Sequence, residues 1–139
     1  MLILGQNIIG EPTTVLFRKH LLTEPFGTLD GRNYSCSVDM ASWINLLSKG
    51  DALYIAEPLS SFHLHTGQQV HHKFLEGCED FSHLIITSKK YGFLQDNIHY
   101  RKSLLKAYEW YKDAINFTKY IQVPSQLPIH MHVFPIVQI

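Results

Sequence analysis

The sequence predicts an α/β fold: a small sheet with one packed helix, followed by two long helices. Three observations carry this. Short β-branched and aromatic runs separated by turn residues fill the first half. A single clear helical pattern, "SVDMASWINLLSKG", interrupts them. After Gly67 the apolar spacing changes to every three or four residues.

Val15-Leu16-Phe17, with Thr13 and Thr14 before it, predicts a strand that Arg18-Lys19-His20 closes with charge. "EPFGTLDG", from Glu24 to Gly31, is rich in turn residues and predicts a loop. In the next segment Met40, Trp43, Leu46 and Leu47 fall on one helical face. Ser37 or Asp39 is placed to cap its start, and Gly50 to end it in a left-handed conformation. "ALYIAEP" predicts a strand ended by Pro58, and "LSSFHLH" a further strand near a sheet edge.

Val70, Phe74, Cys78, Phe81 and Ile85 mark an amphipathic helix from about Gln68 to Tyr91, ended by Gly92. A second helix is expected from Asp96 or Asn97 to about Ile121. Its expected buried stripe is Leu104, Leu105, Tyr108, Tyr111, Ile115 and Thr118. The tail carries three prolines and is expected to be irregular. The resulting organisation is 1–67, 68–121 and 122–139. An incomplete sheet with open edges favours pairing with another chain.

The 139 residues suffice for one core, and 12 basic against 12 acidic side chains leave no excess charge. A nucleic-acid partner, which needs a basic surface, is therefore not expected. No apolar run approaches the roughly 20 residues that span a bilayer. Two cysteines, and an apolar stretch "MLILGQNIIGEP" that lacks a basic region and a clear small-residue cleavage site, favour the cytoplasm.

Four features can carry chemistry. Asp39 at a helix start is either a first-turn acid stabilised by the dipole or, by the same physics, a low-pKa carboxylate able to accept a proton from a hydroxyl. Gly10-Glu11-Pro12 forms a tight loop in which Glu11 can bond sugar hydroxyls or simply face water. His63-x-His65, with His71 and His72 nearby, has spacing that can hold a transition metal, with Cys78 as a further ligand; exposed histidines are the competing reading. The last helix interleaves aromatic residues with Arg101, Lys102, Lys106, Lys112 and Lys119. This suits a core plus solvated face, or an interfacial helix on an anionic membrane. Gly-x-Gly-x-x-Gly, Walker, Asp-x-Asp and Gly-x-Ser-x-Gly motifs are absent.

In order, "NIIGEPTTVLFRK", "FGTLDG", "VDMASWINLLSKGD" and "YIAEPLSSFHLHTGQQ" resemble the C-terminal, acceptor-side half of family-2 glycosyltransferases with the GT-A fold, over about Asn7 to Gln69. The resemblance implies a partial GT-A-type sheet. It implies inverting transfer of a sugar from a nucleotide-sugar to a glycan or lipid-linked acceptor, and a divalent cation, manganese or magnesium. It assigns Asp39 as general base, Gly10, Glu11, Pro12 and Trp43 to the acceptor side, and His65 to the metal or diphosphate. Where family members often show Phe-Arg-x-His, this chain has Phe62-His63-Leu64-His65, so a bidentate phosphate contact is lost. Without Asp-x-Asp the chain is expected to be inactive alone: a fragment, a split-gene product or a degenerate relative. The alternatives are a non-catalytic, self-associating homo-oligomeric module and a histidine-rich metal protein.

Overall fold

The computed structural model describes residues 1–62, 73–120 and 132–138, with the side chains of 62, 117–120 and 132–138 left aside. It is a mixed α/β structure. Strand β1 is Val15–Leu16, β2 is Thr28–Leu29, β3 is Arg32–Asn33, β4 is Leu53–Phe62 and β5 is His132–Gln138. Helix α1 is Val38–Leu47, α2 is Phe74–Ser88 and α3 is Asn97–Tyr120. The strands form a two-stranded hairpin, β2–β3, and a three-stranded sheet in the order β1-β5-β4. β5 runs parallel to β1 and antiparallel to β4.

Several elements depart from the sequence expectation. The first strand is shorter because Pro12–Thr14 forms a 3-10 turn. Proline is suited to the first position of such a turn, and the Thr14 hydroxyl donates to the Glu11 carbonyl at 2.8 Å. The expected loop at Glu24–Gly31 contains β2 and leads into a hairpin. Asp30 and Gly31 both have positive φ, 55° and 75°, which is the tight turn that matches strand twist. Glu24 fastens that turn, accepting from the Asp30 amide at 3.1 Å and the Gly31 amide at 2.9 Å. Burial pushes the Glu24 carboxyl up, but these two amides and the Tyr91 hydroxyl outweigh it, so its pKa lies below the ordinary value.

β4 is one strand rather than two. It runs through Pro58, and residues 132–138 of the tail expected to be irregular pair with it. The ladder is irregular between Ile55–Ile136 and Ser60–Phe134, and both Pro58 and Pro135 fall in that interval. Residues lacking an N–H are tolerated where the ladder is already interrupted. Neighbouring Leu53 and Tyr54, on opposite faces of β4, are both exposed, so α1 does not cover this sheet.

α1 packs instead with the hairpin, the N-terminal segment and α2. One core joins Leu2, Leu29, Met40 and Ile44 to Phe81, Leu84, Ile85 and Ala107. A second holds Ile9, Trp43 and Leu46, with Phe17 and Leu21 against it. Gly50 does not take a left-handed conformation. α1 closes at Ser48, whose hydroxyl donates to the Asn45 carbonyl at 2.7 Å. Gly92 does end the α2 region left-handed, with φ 87°. Asp96 caps α3 by accepting from the His99 amide at 2.8 Å.

The stripe expected for α3 is the wrong face. Ser103, Ala107 and Ala114 are buried, while Leu105, Tyr108 and Ile115 are exposed. A Cβ added at Gly5 would lie 2.6 Å from the Lys106 Cγ and 3.0 Å from the Trp110 Nε1. Gly5 thus packs against the side chains of Lys106 and Trp110, and Trp110 stacks on Phe81 at 4.5 Å.

Candidate functional site

The loop from Asn7 to Glu11 lies against the first turn of α1. Asn7 organises it. Its Oδ1 accepts from the Ile9 amide at 3.2 Å and the Gly10 amide at 3.1 Å, a side-chain-closed turn. Its Nδ2 donates to the Gly10 carbonyl at 2.9 Å and to the Asp39 Oδ2 at 2.5 Å. The other Asp39 oxygen accepts from the Met40 amide at 2.7 Å, one of the donors that a helix start leaves unpaired.

Gly10 has φ 115°, and a Cβ there would fall 2.4 Å from the Thr14 hydroxyl oxygen. Glycine is therefore required both by conformation and by space. The Gly10 carbonyl accepts a second bond, at 3.2 Å, from the Trp43 indole. Trp43 is 0% exposed and meets the edges of Phe17 at 5.9 Å and Phe26 at 5.6 Å. Its place in the structure is to hold the loop from beneath, not to present a ring to a ligand.

Four sequence-selected residues, Gly10, Glu11, Asp39 and Trp43, are thus drawn together, and Pro12 starts the turn that follows them. His63, His65, His71 and His72 lie outside the described residues. Among the described residues, no three His, Cys, Asp or Glu side chains group closely enough to hold a metal ion. Cys78, considered with the histidines, is buried on α2.

The electrostatics correct one expectation. A helix start was expected to keep the Asp39 pKa low. Burial dominates instead and pushes it above its ordinary 3.8, against the Met40 amide, the Asn7 side chain and its own backbone N–H. Burial also raises Glu11, and the Asp39 charge raises it further. Two half-buried carboxylates that favour protonation more than free ones can accept a proton and bond hydroxyl groups.

The linkage has a definite sign. Folded Asp39 binds its proton more tightly than the unfolded chain, so its contribution to stability falls as pH rises from 3.8 through its higher folded value. Glu11 behaves alike from 4.5 upward. Since the Asn7 amide opposes the shift, Asn7→Ala is expected to raise the Asp39 pKa further. Titration of the Asp39 carboxyl carbon by NMR checks this; an unchanged or lower value would remove Asn7 from the electrostatics of the site.

Sequence reasoning passed over Asn7. Its signal was present in Asn-x-x-Gly, the spacing of a side-chain-closed turn, but nothing local indicated a partner 32 residues away. It also passed over Asp80, whose Oδ2 accepts from the amides of Ser35 at 2.9 Å, Cys36 at 2.8 Å and Ser37 at 3.3 Å. Its Oδ1 pairs with Arg32 at 2.9 Å. A side chain of α2 thereby closes the N-terminal approach to α1, while Ser37 itself makes no capping bond.

Comparisons with protein-family models, with curated proteins and with solved structures found no match to this chain.

Proposed function

We propose that this chain is the acceptor-side part of an inverting sugar transferase of the family-2, GT-A kind, working in the cytoplasm. The observation that carries the reading is the joining of Gly10 and Asp39 through the single Asn7 side chain, with Glu11 next in the loop. These are the residues that the resemblance assigns to acceptor and base. In this reading Asp39 takes the proton from an acceptor hydroxyl as that oxygen attacks the anomeric carbon of the donor and the anomeric bond to the nucleoside diphosphate breaks, the diphosphate leaving with the bonding pair. The raised proton affinity of Asp39 favours that proton transfer. Glu11 orients a neighbouring hydroxyl, and the buried indole of Trp43 keeps the loop from drifting.

A nucleotide-sugar and a manganese or magnesium ion belong to the proposal. The resemblance assigns His65 next to the ion, and the sequence holds no Asp-x-Asp. The diphosphate then needs residues beyond this chain, and the chain alone is inactive. Two measurements test the reading. Calorimetry with nucleotide-sugars and manganese is expected to show no tight binding, and tight metal-dependent binding contradicts it. Titration with sugar acceptors is expected to move the Gly10, Glu11 and Asp39 amide signals; shifts confined to other parts of the chain count against the acceptor site.

The exposed sheet favours a second reading, a self-associating module, because the outer edges of β1 and β4 are unpaired within the described residues. Sedimentation at increasing concentration decides it, and a monomer throughout removes it.

A further inference from the structure

Helix α3 has two unlike faces. The inner one is built from Ser103, Ala107 and Ala114. The outer one carries Ile98, Leu105 and Tyr108, which are 67%, 62% and 66% exposed. At helical spacing, Arg101 and Lys112 lie on this same outer face and Lys102 beside it. Among the described residues none of these three cations makes an ion pair. Of the acids of the helix, Glu109 falls between Ile98 and Lys102 at the edge of this face, engaged by Lys106 at 2.7 Å, and Asp113 lies just beyond Lys102.

We propose that this outer face of α3 docks the protein on an anionic lipid surface. Protruding apolar side chains interleaved with long cationic ones suit a boundary with an apolar layer and an acidic surface: the apolar tips enter, and the cations reach phosphates. Charge decides against a second copy of the chain. A two-fold contact through this face would set Arg101 and Lys112 against like charges. The inference is independent of the sugar-transferase reading, since it uses none of the residues around Asp39.

Co-sedimentation of the full chain with vesicles tests it. Binding to phosphatidylglycerol vesicles is expected to exceed binding to phosphatidylcholine by more than roughly tenfold, at about fivefold per engaged cation. R101E/K112E is expected to lose a comparable factor. L105E/Y108E is expected to lose binding too while keeping its helical circular dichroism, because both side chains are outside the core. Absence of binding to phosphatidylglycerol overturns the proposal, as does binding that L105E/Y108E leaves intact. A lipid-free dimer dispersed by L105E/Y108E assigns the face to a second copy and overturns it. Retention on polyglutamate lost in the same variant assigns the face to an acidic protein and also overturns it.

Discussion

Asp80→Ala is expected to destabilise the protein by about 3–5 kcal/mol, the range for breaking a buried ion pair by removing one partner. The carboxylate is 4% exposed and is shared by Arg32 and three consecutive backbone amides. Alanine leaves the three amides without this acceptor, and a buried donor left unpaired costs free energy, whereas Arg32 keeps Glu79 at 3.7 Å. For a chain of this size the loss amounts to roughly 10 °C or more in midpoint temperature. Arg32→Ala is expected to cost less, about 1–2 kcal/mol, because the arginine is one-third exposed and the amides still hold the carboxylate. Thermal unfolding followed by circular dichroism separates the two variants. An Asp80→Ala protein as stable as the wild type would show that α2 is not fastened through this carboxylate.

Trp43→Ala is expected to cost a similar amount, about 3–5 kcal/mol, for a different reason. The indole is fully buried between two phenylalanine edges, and its removal leaves a cavity that Phe17 and Phe26 cannot fill without leaving their own packing. The milder Trp43→Phe keeps most of the volume and deletes the bond to the Gly10 carbonyl, for about 1–2 kcal/mol. Its second effect is local: the Gly10 and Glu11 amide signals are expected to shift while those of α3 stay in place. Equal stability of Trp43→Ala and wild type, or a Trp43→Phe spectrum unchanged at Gly10, would count against the indole as the anchor of the loop.

The elements with strong local signals were legible in the sequence. Helix α1 follows from Met40, Trp43 and Leu46, and α2 from Phe74, Cys78, Phe81 and Ile85. The start of α3 follows from Asp96, while its expected end near Ile121 lies outside the described residues. Where tertiary contact outweighs local preference, the sequence misleads. The buried face of α3 was sought among large apolar residues, but the fold buries Ser103, Ala107 and Ala114 instead. The tail strand β5 is hidden by its prolines, since pairing across a bulge depends on a partner about 80 residues earlier that no local pattern records. The grouping of Gly10, Glu11, Asp39 and Trp43 was legible as a set of positions. Its electrostatics were not, because a helix N-terminus is local whereas the burial that raises Asp39 is the work of the whole fold.

Register in the three-stranded sheet has an unusual basis. A strand with one buried face resists slippage because a shift by one residue turns its apolar side chains to water. β4 has little such protection, with Leu53 and Tyr54 already solvated on its two faces. Pro58 and Pro135 supply the missing constraint. The observed alignment brings both into the same interruption, where neither has to donate a ladder hydrogen bond. Two residues usually counted as breakers of β-structure thus act here as the keys that select one pairing over its neighbours.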